Sequence, residues 1–329
     1  MPGGVPTVVR MTPGAPVSGG AVSILHVHAD PAEMMGLCER IGVGPVGVGK
    51  VVVRDLCGVD RGVACLIAPG VLQLMPHAGV AVERALLARL AELGATLADP
   101  SRLHPRDLYP EAADDAEACA LDALSRAVSP RAVDVVLASA EAWRRAGPAN
   151  DPARERALDW LLVAPTVAAV GRANVGKSTL LNALARQALA VVSEHAGTTL
   201  DHVGAALCLD GVVVQWIDTP GWRVDAGALE LEARASAAEA VARADLVVVC
   251  VDAASGGIDP GLMGARDGTA MLRVGTRGSL GEVGGCDVVT DAHEGRGIAE
   301  LAVRVRRALV PDGVLEAPGR WAFHPILRG

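Results

Sequence analysis

Between Thr7 and Met75 the hydrophobic positions come in short runs, TVVR, AVSILHV, KVVVRDL, GVACLIA and VLQLM, broken by Gly and Pro. Short Val-rich runs bounded by turn residues predict strands. ERALLARLAELG, which follows, has the three-and-four spacing of a helix. Residues 1–105 therefore read as a small α+β domain. From about Pro110 to Trp160 the chain is Ala-rich, with apolar positions three and four apart and an interruption at GPANDP. Residues 106–162 read as a short helical connector with one break. From Pro165 onward strands (TVAAV, VGAALCLD, VVVQWID, DLVVVCVD, AMLRV) are interspersed with helices (STLLNALARQA, LEARASAAEAVARA, IAELAVRVRRAL). That order predicts a doubly wound α/β domain over 163–312, with a mostly parallel sheet covered on both faces. The tail, 313–329, has no usable periodicity.

Composition narrows the function. The 329 residues are 51% hydrophobic, enough for two or three cored units at roughly 100–200 residues each. A net charge of −8 argues against a protein that coats nucleic acid through bulk charge. The seven cysteines, Cys38, Cys57, Cys65, Cys119, Cys208, Cys250 and Cys286, contain no C-x-x-C pair, so neither a disulfide framework nor a zinc site is indicated. No apolar run reaches membrane-spanning length and no secretory leader pattern is present, so a reducing cytoplasm is expected. Arg has displaced Lys almost everywhere: Lys50 and Lys177 are the two lysines of the chain.

Lys177 lies in Gly171-Arg172-Ala173-Asn174-Val175-Gly176-Lys177-Ser178, a full G-x-x-x-x-G-K-S motif after an apolar strand and before a helix. In that setting backbone N–H groups through Val175, Gly176 and Thr179 can curl around phosphate oxygens. Lys177 adds charge, and the Ser178 hydroxyl is a Mg²⁺ ligand. Gly44 to Val51 (GPVGVGKV) imitates the pattern, but Val51 cannot ligate Mg²⁺ and VVVRDL is strand-like, so a tight turn entering a strand is the better account. At the end of VVVQWI comes Asp218-Thr219-Pro220-Gly221, with Asp218 placed to hold Mg²⁺ through water and the Gly221 amide to meet a γ-phosphate. Gly197-Thr198-Thr199 lies between the two motifs, where one Thr can complete the Mg²⁺ shell. Three such motifs in this order point to a P-loop domain of the GTPase kind.

GRANVGKSTLLNAL, VVSEHAGTTLD and the Asp218 motif followed by Trp222-Arg223 resemble the TrmE (MnmE) family of tRNA-modification GTPases. TVVRMTPG with GGAVSILHV, VDRGVACLIAPG, VLQLMPHAG and DDAEACALDALSRA resemble that family's N-terminal domain and the start of its helical domain. The resemblance implies GTP/GDP and Mg²⁺ as cofactors, with Thr199 joining Ser178 and Asp218 at the metal. It further implies K⁺ held at Asn174 and by the loop carrying Ser193, His195 and Thr198, offsetting charge that Trp222, in the place of a water-orienting Gln, cannot manage. For His195 a backbone carbonyl would serve equally. Glu230 matches the family's water-organising Glu, with Glu232 a close competitor; a solvated helix face explains both equally well. Implied partners are a second copy of the chain, an FAD-dependent partner and tRNA, with no membrane.

Several positions depart from the family. Thr276-Arg277-Gly278-Ser279 stands where guanine selection uses N-K-x-D, and a missing carboxylate there forfeits about 1.5–3 kcal/mol of base recognition. Asp291-Ala292-His293 replaces the later Ser-Ala-x loop, and Asp291 is one candidate to compensate. The family binds a formyl-folate with an Arg, a Glu and a Lys, where this chain has His26, Gln73 and Pro110. No Cys follows Cys286, whereas the family ends in a Cys-containing motif. Two functions are then expected: Mg²⁺-dependent GTP hydrolysis in tRNA wobble-uridine modification, or a nucleotide-binding switch or sensor that has lost that modification.

Overall fold

Apolar runs and turn residues in the first 105 positions become strands and tight turns in the computed structural model, which describes residues 5–12, 21–146, 152–187, 203–221, 228–253, 264–278, 284–317 and 319–328. The chain divides into two units, residues 1–125 with 326–329 and residues 126–325. In the first, strands β1 (Thr7–Arg10), β2 (Leu25–His28), β3 (Val51–Leu56), β4 (Asp60–Ala68), β5 (Val71–Met75) and β6 (Thr96–Ala98) form one sheet in the order β3-β4-β5-β2-β1-β6. Every pairing is antiparallel except β1 with β6. Lys50 leads straight into β3, with no helix after it, and Gly49 (φ 76°) donates to the Leu66 carbonyl at 2.8 Å. The imitation phosphate loop is thus a turn entering a strand.

Two helices complete this unit's core. The apolar runs did not reveal α1 (Pro31–Ile41), although its ends are written in the sequence. Asp30 accepts the Ala32 N–H at 2.8 Å, Pro31 opens the first turn, and Gly42 (φ 95°) takes the left-handed position that ends it. Met34, Leu37, Cys38 and Ile41 fall on one face and are fully buried with Leu86 and Leu90 of α2 (Val80–Glu92). Each such side chain contributes roughly 1.5–3 kcal/mol by leaving water. The Ala-rich segment is shared between the units: α3 (Pro105–Leu108) and α4 (Asp115–Arg126) lie in or against the end of the first, α5 (Ala132–Arg144) and α6 (Pro152–Asp159) in the second.

The second unit's sheet runs β12-β11-β10-β7-β9-β8, from β7 (Thr166–Val170), β8 (Val203–Leu209), β9 (Val212–Asp218), β10 (Leu246–Val251), β11 (Ala270–Gly275) and β12 (Val288–Val289). All pairings are parallel except the β8–β9 hairpin, which turns at Asp210 and Gly211, both at positive φ. α7 (Lys177–Gln187), α8 (Ala228–Arg243) and α9 (Ile298–Leu309) flank it. Ala237, Ala240 and Val241 of α8, with Ala244 just after it, pack on Ala168, Val170, Val247, Val249 and Val251, while the alternating Val167, Ala169, Val248 and Cys250 are buried as well. Both faces of the central strands are therefore covered, as their unbroken apolar sequence requires. Among the described residues no helix is long and apolar enough to cross a membrane.

The tail is more ordered than its sequence suggests. After α10 (Asp312–Glu316), Trp321 is fully buried, and Ser139 of α5 accepts its N–H at 2.6 Å and donates to its carbonyl at 3.1 Å. The Trp143 indole donates to the same carbonyl at 2.9 Å, and the Trp321 indole donates to Asp159 of α6 at 3.1 Å.

Candidate functional site

Strand β7, buried from Val167 to Val170, delivers the chain at Gly171 to the sheet's carboxyl edge, where α7 begins. A Cβ at Gly171 would lie 2.6 Å from the Cys250 carbonyl oxygen, so the loop leaves the strand pressed against β10. Asn174 (φ 64°) and Gly176 (φ 104°) both take the left-handed region, which Asn and Gly tolerate best. The result is a concave loop of backbone N–H groups at a helix N-terminus, suited to phosphate. Lys177 is buried, its Nζ donating to the carbonyls of Gly171 at 3.1 Å and Arg172 at 3.2 Å. Burial lowers the Lys177 pKa below the ordinary lysine value, opposed by Asp218 and Cys250. Next to it, burial pushes the Cys250 thiol up to about 12, so it is an inert core residue.

β9 pairs beside β7 and ends at Asp218, level with the loop. Ser178 Oγ donates to Asp218 Oδ2 at 2.5 Å, while Asp218 Oδ1 is buried with no hydrogen-bond partner among the described residues. A buried unpaired carboxylate oxygen beside a hydroxyl is a hard-oxygen donor set that fits Mg²⁺. Thr219 is buried and donates to the Ala169 carbonyl at 2.8 Å, tying the motif to β7; Pro220 is exposed. Gly221 lies directly on the phosphate loop: a Cβ there would come within 2.6 Å of Ala173 Cα and 2.7 Å of Lys177 Nζ. Val175 is buried, and Thr179 lines the neighbouring cavity.

That cavity, about 310 Å³, opens beside Gly176 and is walled by Thr276, Arg277, Asp291, Ala292 and His293. Thr276, which the sequence marked only as a departure, is a structural tie. Its buried hydroxyl reaches the Val175 carbonyl of the phosphate loop at 2.5 Å and the Val251 carbonyl at 3.1 Å. Asp291 is also buried, and its Oδ1 accepts the N–H groups of His293 at 3.1 Å and Glu294 at 3.2 Å. The structure thus brings together Asn174 through Thr179, Asp218 through Gly221 and Thr276 with Asp291. Ser193, His195, Thr198, Thr199, Trp222 and Ser279 lie outside the described residues. Glu230 lies in the first turn of α8.

In the other unit, His26 and Gln73 meet across β2 and β5, His26 Nε2 with Gln73 Oε1 at 3.0 Å. His26 and His28 are buried and burial lowers both pKa values, His28 to about 4 with His26 adding to the effect. Pro110 borders a separate cavity with His28, Arg106 and Asp107.

Comparison with known proteins agrees with this geometry. Residues 166–269 match the family described as 50S ribosome-binding GTPase, so they are a GTPase domain. The tRNA modification GTPase MnmE of Acidiphilium cryptum is 31% identical over 359 residues, covering 91% of this chain and 82% of the relative. MnmE of Thiobacillus denitrificans is 33% identical over 249 residues, covering 60% of this chain, and that match spans 56% of the relative's length. Among solved structures, the FeoB G-domain of Methanococcus jannaschii aligns with 44% of this chain and 98% of its own, at 24% identity and a TM-score of 0.34. The chain belongs to the MnmE family of tRNA modification GTPases.

Proposed function

We propose that residues 163–312 bind GTP and hydrolyse it with Mg²⁺ held by Ser178 and Asp218. The observation that carries this reading is the pairing of Ser178 Oγ with Asp218 at 2.5 Å, beside an unpartnered buried Oδ1 and a loop that presents N–H groups and Lys177. When bound, Mg²⁺ supplies charge that stabilises the phosphate oxygens during transfer. Lys177 Nζ meets the β- and γ-phosphates, the Gly221 amide faces the terminal phosphate, and Glu230 is the candidate to orient the attacking water. Calorimetry with GTP and Mg²⁺ tests it: Lys177→Ala should lose at least about 100-fold in affinity, near 2.7 kcal/mol, with an unchanged fold by circular dichroism. Equal affinity in mutant and wild type would remove this site from consideration.

The finer assignments rest on the family resemblance: K⁺ at Asn174 with Ser193, His195 and Thr198, Thr199 at the Mg²⁺, a cytoplasmic setting, a homodimer, and an FAD-dependent partner acting on tRNA. One observation favours a second reading, a nucleotide-dependent switch without tRNA modification. His26 and Gln73 bond to each other where the family is expected to clamp its folate with a cation and a carboxylate.

A further inference from the structure

Three strands of the second sheet are followed by the same residue type. Thr219 follows β9, Thr276 follows β11 and Thr290 follows β12, and all three are buried. Each donates twice to one carbonyl of the neighbouring parallel strand, once from its backbone N–H and once from its hydroxyl. Thr219 meets Ala169 of β7 at 3.3 and 2.8 Å, Thr276 meets Val251 of β10 at 2.7 and 3.1 Å, and Thr290 meets Gly275 of β11 at 2.7 and 3.1 Å. These hydroxyls stitch the carboxyl edge of the sheet, the edge from which the phosphate loop leaves β7.

Thr276 differs from the other two, among the described residues, in reaching a second acceptor: its hydroxyl lies 2.5 Å from the Val175 carbonyl of the phosphate loop. A hydroxyl has one proton, and the shorter of its two contacts is the one to the loop. In a trans peptide the C=O and the following N–H point opposite ways, and no cis bond is found among the described residues. A Val175 carbonyl held toward Thr276 therefore turns the Gly176 N–H the other way, to the side where the loop can meet a phosphate oxygen. We infer that Thr276 is a positioning residue for phosphate: its hydroxyl fixes the Val175–Gly176 peptide, and it acts on the phosphates through the loop and not on the base. The inference rests on the nucleotide-binding reading above and adds a residue to it.

Binding of GDP with Mg²⁺ to the full chain, followed by calorimetry and by the phosphorus NMR resonance of the bound β-phosphate, tests it. Thr276→Val keeps the branched shape and removes the hydroxyl; it should weaken GDP about 10-fold or more, near 1.4 kcal/mol, and move the β-phosphate resonance. Thr276→Ser keeps the donor and should bind within about 3-fold of wild type with the wild-type resonance. Thr290→Val removes a hydroxyl that serves the sheet, so it should lower the denaturation midpoint while GDP stays within about 3-fold and the resonance does not move. Should Thr276→Val fail to fold by circular dichroism, Thr276→Ala takes its place with the same expected outcomes. A folded variant without the Thr276 hydroxyl that binds GDP within about 3-fold of wild type, or that leaves the resonance in place, would overturn the inference. A Thr290→Val loss as large as that of Thr276→Val would overturn it also, because the effect would then belong to the sheet edge in general. Wild type that binds no GDP is a separate pattern: it removes the nucleotide site itself, and the inference with it.

Discussion

Asn174 illustrates how one side chain can be read twice. Its left-handed backbone (φ 64°) is a conformation that Asn tolerates locally, so the curvature of the phosphate loop already accounts for it. The family resemblance gives the amide a further role as a K⁺ ligand. The two accounts separate kinetically: with the cation role, GTP hydrolysis should be at least about 10-fold faster in K⁺ than in Na⁺, about 1.4 kcal/mol in the barrier. Asn174→Ala should then abolish the difference while GDP affinity stays near wild type. Equal rates in the two salts would leave only the conformational role. His28 makes a different prediction at the same scale. Burial holds it neutral to about pH 4 in the folded chain, against an ordinary value near 6.5. A depressed folded pKa means the unfolded chain binds the extra proton first, so this stability is complete above pH 6.5 and lost as pH falls toward 4. His26, shifted the same way, acts in the same direction. Urea unfolding midpoints should fall across that window, and His28→Gln should flatten the fall; an identical slope in the variant would refute the assignment.

At the scale of elements, strongly patterned segments were legible and specifically bonded ones were not. The parallel strands announced themselves because burial on both faces demands continuous Val and Ala. The phosphate loop was equally clear, because its glycines, Lys177 and Ser178 are needed for chemistry rather than packing. α1 has its ends marked by Asp30, Pro31 and Gly42, but the Val-rich runs on either side of it carry the stronger, strand-like pattern. Thr276 and the tail lack any periodic signal: their placement depends on specific hydrogen bonds to residues distant in sequence. Such bonds are testable. Ser139 both accepts from and donates to Trp321, a fully buried residue. Ser139→Ala leaves a buried N–H without that partner and should cost about 1–3 kcal/mol, read as a lowered denaturation midpoint with unchanged m-value. A loss under about 0.5 kcal/mol would show that the other contacts of the tail, among them those of Trp143, Asp159 and Glu155, hold it without Ser139. Asp210 is a second tie of this kind, in the β8–β9 turn. It pairs with Arg131 before α5 and with buried Arg306 of α9, both at 2.9 Å, and Arg306 also pairs with Asp312.

At the scale of the whole molecule, the two units carry unequal amounts of the family's chemistry. The nucleotide unit has the phosphate loop, the Ser178–Asp218 pair proposed to hold Mg²⁺ and a cavity beside Gly176. The N-terminal unit has a six-stranded sheet and a buried apolar core, but the three positions that the resemblance expects to clamp a formyl-folate hold His26, Gln73 and Pro110. His26 is buried and its Nε2 is engaged by Gln73, so it presents no cation to a carboxylated ligand. Its pKa lies below the ordinary histidine value, which keeps it neutral near pH 7. Pro110 offers no side-chain donor at all. One-carbon transfer needs its donor held in a defined pose, and positioning of that kind accounts for roughly 7–11 kcal/mol of barrier in favourable cases. Nucleotide binding in one unit cannot replace a missing clamp in the other. The chain should therefore fail to restore modified wobble uridine in a strain lacking its own family member, while binding guanine nucleotide with Mg²⁺. Mass spectrometry of tRNA nucleosides measures the first and calorimetry the second. Restored modification would show that His26, Gln73 and Pro110 serve the donor in some other geometry, and would return the modifying enzyme to the front of the two readings.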